Sequence, residues 1–165
     1  MALTGANNYF EDFKAGQVFR HARGKTMCEQ DNVGITLQVL NTAEAHFNED
    51  LMQKNAMGRE GWNSRLQFGG VTIAMVIGLA MQDTGENAVK ELSLDRIRLK
   101  APVFHGDTLY AYTEVLAVED GELDDAGIVT FKHYGVNQKD SVVFEGERRV
   151  LIKRKSHYLS NGRDA

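Results

Sequence analysis

Residues 69–81 read GGVTIAMVIGLAM, a stretch with no charge and one hydroxyl, that of Thr72. Val71, Ala74, Met75, Gly78 and Leu79 share one face of a 3.6-residue repeat, which predicts a helix over Gly70–Met81. Ile73, Val76, Ile77 and Ala80 make the other faces apolar too, so this helix belongs in the middle of a domain. Asp83-Thr84-Gly85 supplies a polar stop with a C-terminal glycine. The small Gly78 and Ala80 are expected to let strands approach the helix closely. The run falls short of the ~20 apolar residues a membrane span requires, so no membrane partner is expected.

Strands dominate after this helix. Leu92-Ser93-Leu94 and Ile97–Val103 alternate in polarity, with a phase slip at Asp95-Arg96 that predicts a bulge or bend. Leu109–Val118 alternates between turn signals at His105-Gly106-Asp107 and Glu119-Asp120-Gly121. Ile128–Val136 and Val142–Ile152 follow, joined by the polar hairpin Asn137–Asp140. Pro102 lacks an amide hydrogen and belongs at a strand end or edge. Upstream, Tyr9–Phe13 with Gly16 reads as an entry loop carrying aromatics onto the core, and Val18–Glu29 as an extended strand. A helix start at Gln30 or Asp31 precedes Val33, Leu37 and Leu40 at helical spacing.

One long buried helix followed by about four antiparallel strands is an α+β pattern, and its economical assembly is a hot-dog fold: a curved antiparallel sheet wrapped around a central buried helix. The sheet leaves edges for a second copy to pair with or cover, so a homodimer, or a higher multiple of dimers, is expected. With 165 residues and neither repeats nor linkers, the chain reads as a single domain over 1–165, with its core at about 9–154 and a flexible tail at 155–165.

A net charge of −4 gives no general reason to bind nucleic acid. The lone Cys28 excludes an internal disulfide and any site of several thiolates, so no metal is expected. Met1–Asn8 lacks the basic start and apolar core of a signal peptide, and a soluble cytoplasmic protein is expected. Arg148-Arg149 and Lys153–Lys155 read as a solvated strand edge and charged tail, or as contacts to a phosphorylated ligand.

Of the five histidines, His133 alternates with Val129 and Phe131 and reads as structural, while His21 is expected on an exposed strand. His105 lies in a turn and His157 in the tail. His46 follows a periodic segment and stands five residues after Asn41. In Phe68-Gly69-Gly70-Val71, two glycines opening the buried helix leave bare amides at the positive end of its dipole. A tight turn that only needs glycine's backbone angles is the plainer reading. Together, an imidazole and bare amides suit chemistry beside a thioester carbonyl. The sequence has no Gly-x-Ser-x-Gly elbow, phosphate loop or His-Glu-x-x-His motif.

These stretches resemble the MaoC-like dehydratases and (R)-specific enoyl-CoA hydratases. Asn41-Thr42-Ala43-Glu44-Ala45-His46-Phe47 is similar to the family's Asp-x-Asn-Pro-x-His motif, and Phe68–Val71 to the start of its central helix. Arg96–Leu109, with Ala101-Pro102-Val103 and Gly106-Asp107, is similar to its strand-and-turn signature. The resemblance implies a hot-dog hydratase or dehydratase that adds or removes water across the α,β bond of a short, branched or dicarboxylic acyl-CoA. It implies Asn41, His46 and the Gly70 amide as the catalytic set, with Phe68, Gly69 and Val71 lining the substrate. Coenzyme A enters as part of the substrate and no separate cofactor is implied. Two departures stand out: Asn41 replaces an acid and cannot act as a base, and Ala43-Glu44 replaces Asn-Pro. A non-catalytic acyl-CoA-binding homodimer therefore stays open. A hot-dog thioesterase is disfavoured, because Val71–Met81 carries no carboxylate.

Overall fold

The computed structural model describes residues 8–55 and 57–159. The leader reading of the first residues falls mostly outside that range, as does the tail beyond 159. Five strands, β1 (Val18–Thr26), β2 (Ala88–Leu99), β3 (Thr108–Glu119), β4 (Ala126–Asn137) and β5 (Val142–Lys153), form one antiparallel sheet in the order β1-β3-β4-β5-β2. The helices are α1 (Ile35–Gln38, preceded by a π turn over Gln30–Gly34), α2 (Glu49–Gln53), α3 (Gly69–Thr84) and α4 (Lys155–Tyr158). The sheet curves round α3, and the assembly is the α+β hot-dog arrangement.

In β3, β4 and β5 buried and part-buried residues alternate, as expected of a sheet with one face on the core. Val71, Val76 and Ala80 of α3 pack against Leu109, Ala111, Val143 and Phe144. Phe10 and Phe13 close the other end of the core over Val115, Phe131 and Val150, as the entry-loop reading anticipates. The slip at Asp95-Arg96 is real: the β2–β5 register shifts between Asp95 and Arg98, and Arg96 takes φ +48°. Residues 155–158, assigned to a tail, form a helical turn whose Lys155 and Ser156 amides donate to Glu11.

Four expectations need correction. The helix that begins near Gln30 buries Asn32 and Thr36, while Leu37 and Leu40 face out. Its polar stripe is the one with partners, because it ties down the neighbouring loop. His21 is buried, not exposed, with its Nδ1 2.6 Å from Asp83 and its Nε2 2.7 Å from Thr113 Oγ1. Arg148 is no solvated edge: it is 2% exposed and paired with Glu91. Finally, α3 is not covered all round. Ile73, Ala74, Ile77, Gly78 and Met81 line an open groove of about 740 Å³ facing Leu92, Leu94 and Ile97 of β2. Gly78 therefore meets no strand, whereas Ala80 is fully buried.

Candidate active site

His46 ends a short 3-10 turn over Glu44–His46, between α1 and α2. Its Nδ1 lies 3.0 Å from the Leu66 carbonyl oxygen. A carbonyl only accepts, so Nδ1 carries a proton, and in the neutral ring Nε2 is the nitrogen with the free lone pair. Nε2 has no partner among the described residues. The ring sits 5.6 Å from that of Phe68 and lines a cavity of about 380 Å³ with Trp62, Gln67, Thr72, Lys100 and Pro102.

Asn32 holds this arrangement. Its Nδ2 donates to the carbonyls of His46 and Leu66, each at 3.0 Å, and its Oδ1 accepts from the Phe68 amide at 2.8 Å and from the Thr36 hydroxyl at 3.4 Å. One buried amide thus fixes the histidine turn, the carbonyl that sets its tautomer, and the residue before α3. Arg65 closes the same loop, its Nε donating to Glu49 at 2.9 Å while the guanidinium also pairs with Glu29.

At the start of α3, the Val71 and Thr72 amides donate to the Phe68 carbonyl. The amides of Gly69 and Gly70 have no acceptor among the described residues, as is usual for a first helical turn. A side chain at Gly69 would collide with Leu99, and a Cβ at Gly70 would come 2.6 Å from the Phe68 ring. Glycine here lets the Leu99 and Phe68 side chains lie against the helix start, and a larger residue would make them shift.

The site residues expected from sequence fall in four places. His46 and Gly69 line one cavity, beside which Phe68 packs. The Gly70 Cα lies toward the groove on the other side of α3, although first-turn amides point out of the helix start. Val71 is 1% exposed and packs in the core. Asn41 turns onto its own loop, its Oδ1 accepting from the Ala43 amide at 3.0 Å, and it does not line the His46 cavity. Glu44 is exposed and accepts from Asn48.

Sequence reading missed Asn32, Gln67, Thr72 and Trp62. A signal for Asn32 existed: Asn32 and Thr36 are four residues apart, and so share a face, in an otherwise apolar periodic stretch. None of the cations at Arg148-Arg149 and Lys153–Lys155 lines this cavity, and Lys100 does; Lys153 lies over the Tyr158 ring, and Arg154 bonds Asp120. The carboxylate on α3, Asp83, sits at the far end of the helix, engaged by His21. Among the described residues no group of three or more His, Cys, Asp or Glu is placed to hold a metal ion.

Fold and site together define a hot-dog protein of the MaoC-like hydratase class. A model of the mesaconyl-CoA hydratase family matches residues 2–154, and the chain belongs to that family. It is 34% identical over 157 residues to a mesaconyl-CoA hydratase from Haloarcula marismortui, covering 88% of this chain and 42% of the relative. A beta-methylmalyl-CoA dehydratase from Chloroflexus aurantiacus is 30% identical over 154 residues, covering 93% of this chain and 42% of the relative. The chain thus spans less than half the length of these relatives. A solved Mycobacterium tuberculosis protein described as having a double hot-dog fold superimposes with a TM-score of 0.80 at 23% identity, over 91% of this chain and 45% of that one.

Proposed function

We propose that the protein is a hydratase/dehydratase of short, branched or dicarboxylic α,β-unsaturated acyl-CoA thioesters, with His46 as its acid–base. The carrying observation is the His46 tautomer: Nδ1–H is held by the Leu66 carbonyl, and the unpartnered Nε2 belongs to a ring that lines the same cavity as Gly69. In the hydration direction, Nε2 takes a proton from water as the oxygen bonds to the β carbon. The displaced π electrons run through the α carbon to the thioester oxygen, whose charge meets the bare Gly69 and Gly70 amides at the positive end of α3. Nε2 then returns its proton to the α carbon. A single base on one face gives syn addition. Asn41, an amide in an Asx turn, shapes the loop and transfers no proton. The His46→Gln protein is expected to lose about 10²- to 10⁴-fold in kcat with mesaconyl-CoA, followed by loss of the enoyl-thioester absorbance. Wild-type turnover by that variant would end this reading. Tight thioester binding by the wild type without any turnover would instead favour the binding-protein alternative.

The active unit is a pair of such domains, here a homodimer. What supports this is the apolar groove beside α3, together with Val89, Leu92, Leu94, Ile97 and Leu99 exposed along the edge strand β2. The relatives' double length is consistent with two units fused in one chain. Light scattering is expected to give a dimer for the wild type and a monomer for Leu94→Glu. A monomeric wild type at micromolar concentration would sink the pairing.

A further inference from the structure

Trp62 is the one tryptophan of the chain, and it fills no core. It is half-buried and lines the His46 cavity. Among the described residues it belongs to neither apolar cluster, stacks on no ring and makes no side-chain hydrogen bond. An indole ordinarily anchors a fold through its large apolar faces and its ring N–H. This one anchors nothing in the protein alone.

The chain that carries it is just as loosely joined. Residues 57–64 form neither helix nor strand, and all but Trp62 and Ser64 are exposed. Among the described residues, no hydrogen bond or ion pair ties them to the body of the fold. Gly58 donates back to the Asn55 carbonyl and Trp62 to that of Arg59, both within the loop. Gly58 and Gly61 take φ of +59° and +78°, bends that other residues resist. Both ends, by contrast, are clamped. Met52 of α2 is fully buried, and Arg65 bonds Glu49 through its amide and its Nε. The Leu66 amide then donates to the Ala45 carbonyl, next to His46. Firm ends, few bonds between them and one inward aromatic are what a closing segment requires.

We infer that residues 57–64 are a lid over the His46 cavity, and that Trp62 is the substrate-positioning residue that closes it. The indole packs on the apolar part of the bound thioester, which Leu99 and Pro102 of the same cavity also meet. Closure keeps bulk solvent from the enolate while Nε2 of His46 returns its proton. The inference rests on the proposed reading of this cavity as the acyl-CoA site, but not on turnover there.

Trypsin reads the lid directly, because Arg59 stands exposed on it. The probe is methylsuccinyl-CoA, saturated and therefore inert to hydration, with free coenzyme A as the control for contacts outside the acyl group. In the wild type the thioester is expected to slow cleavage after Arg59 by about tenfold or more, and coenzyme A to slow it less. Trp62→Ala should keep its unfolding midpoint and bind the thioester about ten- to a hundredfold more weakly by calorimetry. It should also lose the protection even at saturation, and Trp62→Phe should restore both. A thioester that binds the wild type without protecting Arg59, or a Trp62→Ala protein that binds and protects like wild type, overturns the lid. Protection without hydration of any enoyl thioester leaves the lid standing and defeats only the hydratase reading; hydration without protection does the reverse. A wild type that binds no thioester defeats both.

Discussion

Both ends of α3 hold histidines by hydrogen bonds, yet the two arrangements do different things. At the C-terminal end every strand contributes one side chain to a polar belt: His21 from β1, Thr113 from β3, His133 from β4, Arg148 from β5 and Glu91 from β2. Thr113 Oγ1 lies 2.7 Å from both His21 and His133, and Asp83 and Thr84 of α3 engage His21 and Arg148. The histidines of this belt are sealed, although Glu91 reaches the surface; even the partnerless Nε2 of His133 belongs to a residue that is 0% exposed. At the N-terminal end a single histidine is held through Nδ1, and its ring lines an open cavity. A spare nitrogen becomes chemistry only where a substrate reaches it.

The contrast breaks most sharply under paired substitutions. His46→Gln should abolish most turnover, as above, with little change in unfolding midpoint, since Gln can still donate to the Leu66 carbonyl. His21→Gln should do the reverse. It disturbs the buried partners Thr113 and Asp83 and should lower stability by about 1–3 kcal/mol in urea titration, with kcat retained. A His21 variant that stays stable but loses turnover would show that the two ends are coupled.

A smaller effect on rate is expected at Asn32, which belongs to the active end but touches no substrate. Asn32→Leu keeps much of the volume, strands the His46 carbonyl and the Phe68 amide, and leaves the Leu66 carbonyl with the His46 ring as its one remaining donor among the described residues. The imidazole then loses its fixed aim, and kcat should fall about ten- to a hundredfold with KM nearly constant. A loss confined to thermal stability would reduce Asn32 to a structural residue.

The contrast also shows what a sequence discloses. The helix over Gly70–Met81, the succession of strands after it and the bulge at Asp95-Arg96 were legible because periodicity and turn chemistry are local. The family motif paired His46 with the Gly70 amide, whereas it is the neighbouring Gly69 that shares the His46 cavity. The burial of His21 and Arg148 was not legible, because their partners Asp83 and Glu91 lie 62 and 57 positions away in the chain. A charged residue reads as exposed until its partner is known. Gln67 and Thr72 were hidden for a related reason: only the turn into α3 brings them side by side.

The smallest effect is a pH dependence of stability that separates the ends again. Burial, then the Arg148 charge, then His21, push the His133 imidazole down to about 3 from an ordinary 6.5. The folded protein therefore holds His133 neutral where the unfolded chain begins to bind a proton. Stability from this group is complete above about pH 6.5 and drains as pH falls from there towards 3, by at most about 1.4 kcal/mol per pH unit. His133→Asn places an amide where Nδ1 met Thr113 and removes the titration. Urea midpoints at pH 7.5, 6 and 5 should fall more steeply for wild type than for the variant. Parallel slopes would mean that His133 does not set the acid limit, and that the sealed end of α3 is no more sensitive to protons than the open one.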